Sequence, residues 1–493
     1  MSTGTDDLRA GELLAPGSIQ GWEVIVGLEV HCELGTATKL FCGCRNAFGD
    51  EPNTNICPVC LGLPGSLPVL NEQAVELAMR IGLALHCSVE DSIFHRKNYF
   101  YPDMPKDYQI SQYDKPINSN GWMELADGTR IGVERAHLEE DTGKSTHVGG
   151  RGRIHEADYS LVDYNRAGVP LVEIVSAPDL RSAAQARDYV FELRSILVAT
   201  GASDGRMEEG SLRVDANVSV RRQGERSYGI RCEVKNLNSL RSLGRAIDYE
   251  ARRQIEVLSE GGVVSQETRH WDEESACTVS MRSKEEAYDY RYFPEPDLVP
   301  LAPDEGWKSS VASSLPPMPA ERRASLMGLL GESAADLGAQ VATVVAQDLD
   351  GLAVGALQAG ADARLVLQRV ANEAATDAAA ARMLDPLKLA KLVDMEHSGK
   401  LSATQAKSVL ATMLATGGDP AEIAAAKGYE AMAGDALAES VQSVIEANPD
   451  GWHRYCSGEE QVAQFLVGQV MKATRGRADG KAVVAELRRR RSQ

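Results

Sequence analysis

The chain has no run of eighteen apolar residues, so no membrane-crossing helix is expected. Its first twenty residues are polar, acidic and glycine-containing and lack the apolar core of a secretory signal. They read as a disordered extension, 1–20. Positive charge is in deficit: 52 Lys and Arg stand against 71 Asp and Glu, a net charge of −19. That excludes a general grip on polyanions, which needs local cationic charge, but leaves room for one basic patch. Cysteine is sparse and clustered, nine in all, and without a leader this favours a reducing, cytoplasmic setting over a disulfide framework. A phosphate-binding P-loop is also missing. Gly143-Lys144-Ser145 invites that reading, but the motif's first glycine would fall on Leu138. The Gly149-Gly150-Arg151-Gly152 run just beyond cannot be the required helix.

What is present divides by region. At 493 residues the chain needs more than one core. Residues 21–310 mix short alternating strands with a few helices and hold most of the histidine and cysteine. From Ser211 to Arg221, Leu212, Val214, Ala216, Val218 and Val220 alternate with Arg213, Asp215, Asn217 and Ser219, the mark of a strand with one buried face. A second strand is expected to put Ile230, Cys232 and Val234 inward, with Arg231, Glu233 and Lys235 outward. Asp127-Gly128 signals another hairpin. Asn71 caps one helix, and Ser182 with Gln185 forms a capping box for another with the stripe Tyr189, Leu193, Ile196 and Leu197. The class is α+β, with mostly antiparallel strands.

Composition changes at the Pro-rich stretch 313–319, beyond which the chain is Ala-rich and helical. A helical domain is expected over 311–425 and a small helical module over 426–493. Ser402 with Gln405 opens one helix, ended at Gly417-Gly418; Asp419, Pro420 and Glu422 open the next. A helix from about Gly458 carries Val462, Phe465, Leu466, Val470 and Met471 on its apolar side, with Gly468 explained by a close neighbour. From Trp452 onward nine Lys and Arg face four Asp and Glu, ending in Arg488-Arg489-Arg490-Arg491. Two readings stand: cations complementing a helix C-terminus, or a phosphate contact.

Two groups carry chemistry. Cys42, Cys44, Cys57 and Cys60 form C-x-C-x12-C-x2-C, which suits four thiolates around one zinc ion, although the first pair is tight; independent thiols are the alternative. Filled by four ligands, such an ion holds a loop and has no place open for catalysis. Glu29 and His31 lie two apart on one strand, Glu139, Glu140 and Asp141 follow His137, and Glu173 sits inside an apolar strand. A carboxylate there is costly unless paired, and carboxylates with phosphate oxygens suit Mg²⁺. The alternative is an edge-strand Glu173 facing water and a structural His137. Arg96–Asp103 and Arg291–Asp297 mix cations with aromatics, either to stack bases or to pack rings under a cationic rim.

Seven segments in order resemble the B subunit of the tRNA-dependent amidotransferase GatCAB, in the GatB/GatE family. They are Val26–His31, Arg96–Asp103, His137–Asp141, Glu209–Asn217, Glu233–Ser239, Tyr290–Asp297 and Phe465–Lys472. The resemblance runs from about residue 22 to the C-terminus, without the surplus length of the inserted domain usual in the archaeal GatE relative. It implies a cradle-like catalytic domain, an all-α linker domain and a YqeY-like tail that contacts tRNA. It implies ATP-dependent phosphorylation of the side-chain carboxylate of Glu on tRNA(Gln) or Asp on tRNA(Asn), then amidation by ammonia. The family's Mg²⁺ site would fall on His31, Glu140 and Glu173, with Glu29 and Glu139 beside them. Lys97 and Glu140 match residues near the mouth of the family's ammonia path. Contacts to ATP or the aminoacyl end are expected from Arg213, Asp215, Asn217, Glu233 and Lys235. Neither an amidase signature nor a glutaminase-type cysteine is visible, so ammonia is expected from a partner amidase, the A subunit, with the small C subunit completing a heterotrimer. The zinc cysteines occur in only some members of the family; all four are here.

Overall fold

The computed structural model describes residues 21–149, 157–281, 290–331, 336–429, 434–474, 478 and 480–491. The extension expected at 1–20 lies outside them. Two compact units form, Met1–Met318 and Pro319–Gln493.

The first unit is built on one large sheet. Its strands are β1 (Trp22–Glu33), β2 (Ser88–Val89), β3 (His95–Asn98), β4 (Tyr108–Ser111), β5 (Asn118–Glu124), β6 (Arg130–Glu140) and β7 (Lys144–Val148). There follow β8 (Tyr159–Asp163), β9 (Pro170–Ser176), β10 (Leu212–Arg222), β11 (Cys232–Leu237), β12 (Glu267–Asp272), β13 (Cys277–Ser280) and β14 (Phe293–Pro294). Among the described residues the sheet runs β13-β12-β11-β10-β1-β9-β6-β4-β3-β14, with β5 beside β6 and β2 beside β5. β7 and β8 form a separate hairpin, so Lys144-Ser145 opens a strand and no P-loop helix. The pairings are antiparallel apart from β11 with β12, in keeping with the expected class.

Alternation along β1 decides which face is covered. Trp22, Val24, Val26, Leu28, Val30 and Cys32 are buried in one core with side chains of α1 (Glu72–Ala84), α2 (Ala183–Ala199) and α3 (Leu240–Ser259). The other face presents Glu29, His31 and Glu33, half-buried. An antiparallel sheet tolerates this because only one of its faces needs a hydrophobic partner. Leu212, Val214, Ala216, Val218 and Val220 of β10 lie inward as their spacing requires. Cys232 and Val234 do so on β11, but Ile230 precedes the strand and is exposed, a correction to the expected face. Asn71 caps α1 through its side-chain oxygen. Ser182 caps α2, yet the Gln185 side chain accepts from Arg181 N at 2.9 Å rather than from Ser182, so the box is half-formed.

The second unit is helical, with one apolar cluster from Leu326 to Ala424 and another from Val441 to Leu487. Ser402 and Gln405 form the full capping box of helix Ala403–Thr416, which Gly417 ends in the left-handed region at φ 67°. Asp419 caps the next helix with Pro420 at its start. On Val462–Ala473, Leu466 and Val470 are buried, but Phe465 is half exposed. Gly468 has nothing within 4 Å of the place a Cβ would take, so its expected close neighbour is absent among the described residues.

Candidate active site and metal centres

β9 lies between β1 and β6, and Glu173 sits opposite His31 on one side and His137 on the other. Side chains alternate along a strand, so Glu139 shares the face of His137 while Glu140 turns to the opposite face. His31 Nε2 is 3.5 Å from Glu139 Oε1 and 3.6 Å from Glu173 Oε2. Ligand atoms of these three residues all lie within 4.8 Å of one another. His137 Nε2 stands 3.6 Å from Glu173 and 4.0 Å from Glu139, and its Nδ1 is buried without a hydrogen-bond partner. Of the expected trio, the structure brings His31 and Glu173 together with Glu139, and the period of two turns Glu140 to the other face.

The cluster is electrostatically tense. Burial works against charge on His31, but its pairing with Glu173 and the charge of Glu139 prevail and push it up to about 9. Burial and the Glu173 charge raise Glu139 to about 7. Burial opposes ionisation of Glu173 too, yet His137 and His31 hold it well below the carboxylate range. Burial pulls His137 down to about 4. Carboxylates crowded in this way are relieved by a cation, and the donor set of two carboxylates and an imidazole fits a hard divalent ion such as Mg²⁺.

The polar hairpin face joins the same surface through β1, where His31 pairs with Arg213, Glu29 with Asp215 and Gly27 with Asn217. Asn217 donates to Glu29 at 2.9 Å. Lys235 bridges Asp215 and Glu233, each at 2.8 Å. Arg213 binds Asp141 at 2.7 Å. Burial raises the Glu29 carboxyl, with Glu173 and Glu233 adding to it. Lys97 lies over the Tyr290 ring at 4.8 Å, and its charge acts on Glu139 and His137. It therefore stands on the side of Glu139 and His137. Arg96 grips Glu295 with two hydrogen bonds of 2.6 and 2.8 Å, tying the two aromatic segments together across β3 and β14.

On the opposite face the Glu140 carboxylate pairs with Lys106 and accepts from Ile110 N at 2.9 Å. Both side chains are almost wholly buried. They border a cavity of about 200 Å³ that Cys42, Cys60 and Gly62 also line. Sequence reasoning misses Lys106: it lies three residues past the aromatic segment, with nothing in its spacing to mark it. The four cysteines do converge, their Sγ atoms within 4.8 Å of one another. A hydrogen bond from Cys42 and the charge of Lys39 draw the Cys60 thiol down to about 5, against burial. Four soft donors at this spacing fit a tetrahedral zinc ion.

The sheet thus carries a carboxylate–imidazole cluster, and four cysteines converge at a second place in the same unit. Comparison with known proteins is specific. Residues 24–309 match the GatB/GatE catalytic domain and residues 356–490 the GatB domain. The chain belongs to the GatB/GatE family and is an enzyme component of the amidotransferase class. It is 50% identical over 484 residues to the B subunit of the aspartyl/glutamyl-tRNA(Asn/Gln) amidotransferase of Frankia casuarinae, covering 94% of each chain. The protein of the same name from Carboxydothermus hydrogenoformans is 47% identical over 95% of this chain and 98% of its own. That of Salinispora arenicola is 50% identical over 94% and 95%.

Proposed function

We propose that this chain converts the side-chain carboxylate of Glu on tRNA(Gln), or of Asp on tRNA(Asn), into the amide, in the cytoplasm and as part of a heterotrimer. A carboxylate does not accept ammonia at neutral pH, so it must be activated. Its oxygen takes the γ-phosphoryl group of ATP and ADP leaves. Ammonia then attacks the acyl carbon, and the bond from that carbon to the phosphate oxygen breaks to release inorganic phosphate. Magnesium, when bound, neutralises charge on the phosphoryl group.

The residues divide this work between the two sheet faces. His31, Glu139 and Glu173 would hold the cation. Arg213 and Lys235 supply positive charge on the same face, with Asp215, Asn217 and Glu233 orienting them and the bound nucleotide or aminoacyl end. Glu29, whose carboxyl is raised, takes the surplus proton of the attacking amine. Lys97 steadies Glu139. On the opposite face the cavity beside Glu140 and Lys106 serves as the approach for ammonia, where a carboxylate strips the proton from ammonium. The partner amidase supplies that ammonia, the small third chain completes the assembly, and the helical tail from about 426 meets the tRNA.

The convergence of His31, Glu139 and Glu173 on an open face carries the reading. ATP hydrolysis by the purified three-chain complex tests it. Hydrolysis should respond to misacylated tRNA and not to uncharged tRNA. Equal hydrolysis with both, or none with either, contradicts it.

A further inference from the structure

The cysteine clip meets Lys106 directly at Gly62 and reaches the neighbourhood of Glu140 through Gly168. Its loop closes tightly, with Leu61 N donating to Cys57 O at 3.1 Å, Gly62 N to Val59 O at 3.0 Å and Leu63 N to Pro58 O at 2.8 Å. Gly62 is left at φ +67°, face to face with Lys106: a Cβ there would lie 2.5 Å from Lys106 Cγ and 3.0 Å from its Cα. That space exists only because residue 62 has no side chain. The other contact runs through Gly168. A Cβ on Gly168 would stand 3.6 Å from Cys60 Cβ and 3.8 Å from Glu140 Oε2, so the thiol and the carboxylate flank the same glycine. Leu40 N, in the stretch leading to Cys42, donates to Gly168 O at 2.9 Å and ties that glycine to the clip.

Lys106 and Glu140 are a buried ion pair, with side chains 7% and 2% exposed. Such a pair depends on its geometry, since displacing one partner leaves the other charged and desolvated. The wall that sets the position of Lys106 is the loop that the four thiolates would close around a metal.

We propose that the metal-loaded clip is a positioning element for the Lys106–Glu140 pair and so for ammonia delivery through the cavity. Gly62 sets Lys106, Cys60 and Gly168 set Glu140, and the metal holds the loop that carries Gly62 and Cys60. The proposal rests on the reading that this chain amidates with ammonia from a partner. It assigns the clip a part in coupling the two ammonia-handling steps, beyond keeping the domain folded.

The test uses the complete three-chain complex and two ammonia sources, glutamine and free ammonium chloride. The Gly62→Ala complex should keep its zinc, measured by elemental analysis, and its ammonium-driven amidation. Its glutamine-driven amidation should fall by up to about 100-fold, the scale of an ångström of misplacement. Glutamine hydrolysis should continue, releasing ammonia to solvent. Stripping zinc from the wild-type complex with a chelator should give the same split, reversed by adding zinc back. Parallel loss with both sources, or no change with either, overturns the proposal and leaves the clip a structural staple. A wild-type complex inert with both sources would bring down the reading of function, and this inference with it.

Discussion

Glu139 and Glu140 are neighbours on one strand and serve opposite faces of the sheet: Glu139 stands 3.5 Å from His31, while Glu140 pairs with Lys106 beside the cavity. One peptide step separates the carboxylate–imidazole cluster from the cavity behind it. The two carboxylates should therefore fail in different ways when neutralised.

Glu139→Gln removes a donor from the proposed cation site. tRNA-dependent ATP hydrolysis should drop by about 100-fold or more, the scale of losing one electrostatic partner of a transition state. tRNA binding, measured by filter retention, should be unchanged.

Glu140→Gln should leave ATP hydrolysis within a few-fold and cut glutamine-driven amide formation instead. It should also reduce stability, because Lys106 is then buried beside a neutral amide; a buried pair broken on one side costs about 3–5 kcal/mol. A comparison of phosphate release with amide yield separates it from Glu139→Gln.

Glu250 anchors a second buried network with no catalytic part. Its carboxylate is 2.6 Å from Arg253 and 3.3 Å from Arg269, and it accepts from Gln254 and Thr278, each at 2.8 Å. Burial opposes its charge, but hydrogen bonds from Arg253 and Gln254 prevail and hold its carboxyl below the ordinary value of 4.5. Its contribution is complete above that ordinary value and is lost as pH falls through the lower, folded value. Glu250→Gln should lower the urea midpoint near neutrality, and the gap to wild type should shrink in acid.

The basic end of the tail is expected to meet RNA phosphate. Within the tail Glu486 pairs with Arg489 at 2.8 Å and with Arg490 at 2.7 Å, and Arg491 pairs with Glu460 at 2.6 Å. Replacing Arg488 and Arg489 by Glu should weaken tRNA binding and flatten its dependence on salt, by roughly 0.7–0.9 in log–log slope for each phosphate no longer neutralised. ATP hydrolysis at saturating tRNA should hold.

Much of this is legible in the residues because it depends on local periodicity and end signals. The alternation of β10, the Asn71, Ser402 and Asp419 caps and the cysteine spacing each act over a few residues, and each has its expected place. What spacing does not carry is register between strands far apart in sequence. That His31 meets Glu173 and Glu173 meets His137 is set by the pairing of β1, β9 and β6. Once that pairing brings His137 to Glu173, the period of two along β6 selects Glu139 over Glu140. Lys106 is invisible for the same reason, since its role depends on Gly62 and Glu140 arriving from two other segments. Phe465 and Ile230 depart from expectation because an apolar pattern continues past the point where an element's buried face ends.

The central claim is that His31, Glu139 and Glu173 form a cation site. Crystals of the complex grown with Mn²⁺ in place of Mg²⁺ test it by anomalous diffraction. The account predicts one peak within bonding distance of those three side chains, absent in Glu139→Gln. A peak at Glu140 instead, or none on this face of the sheet, would contradict it.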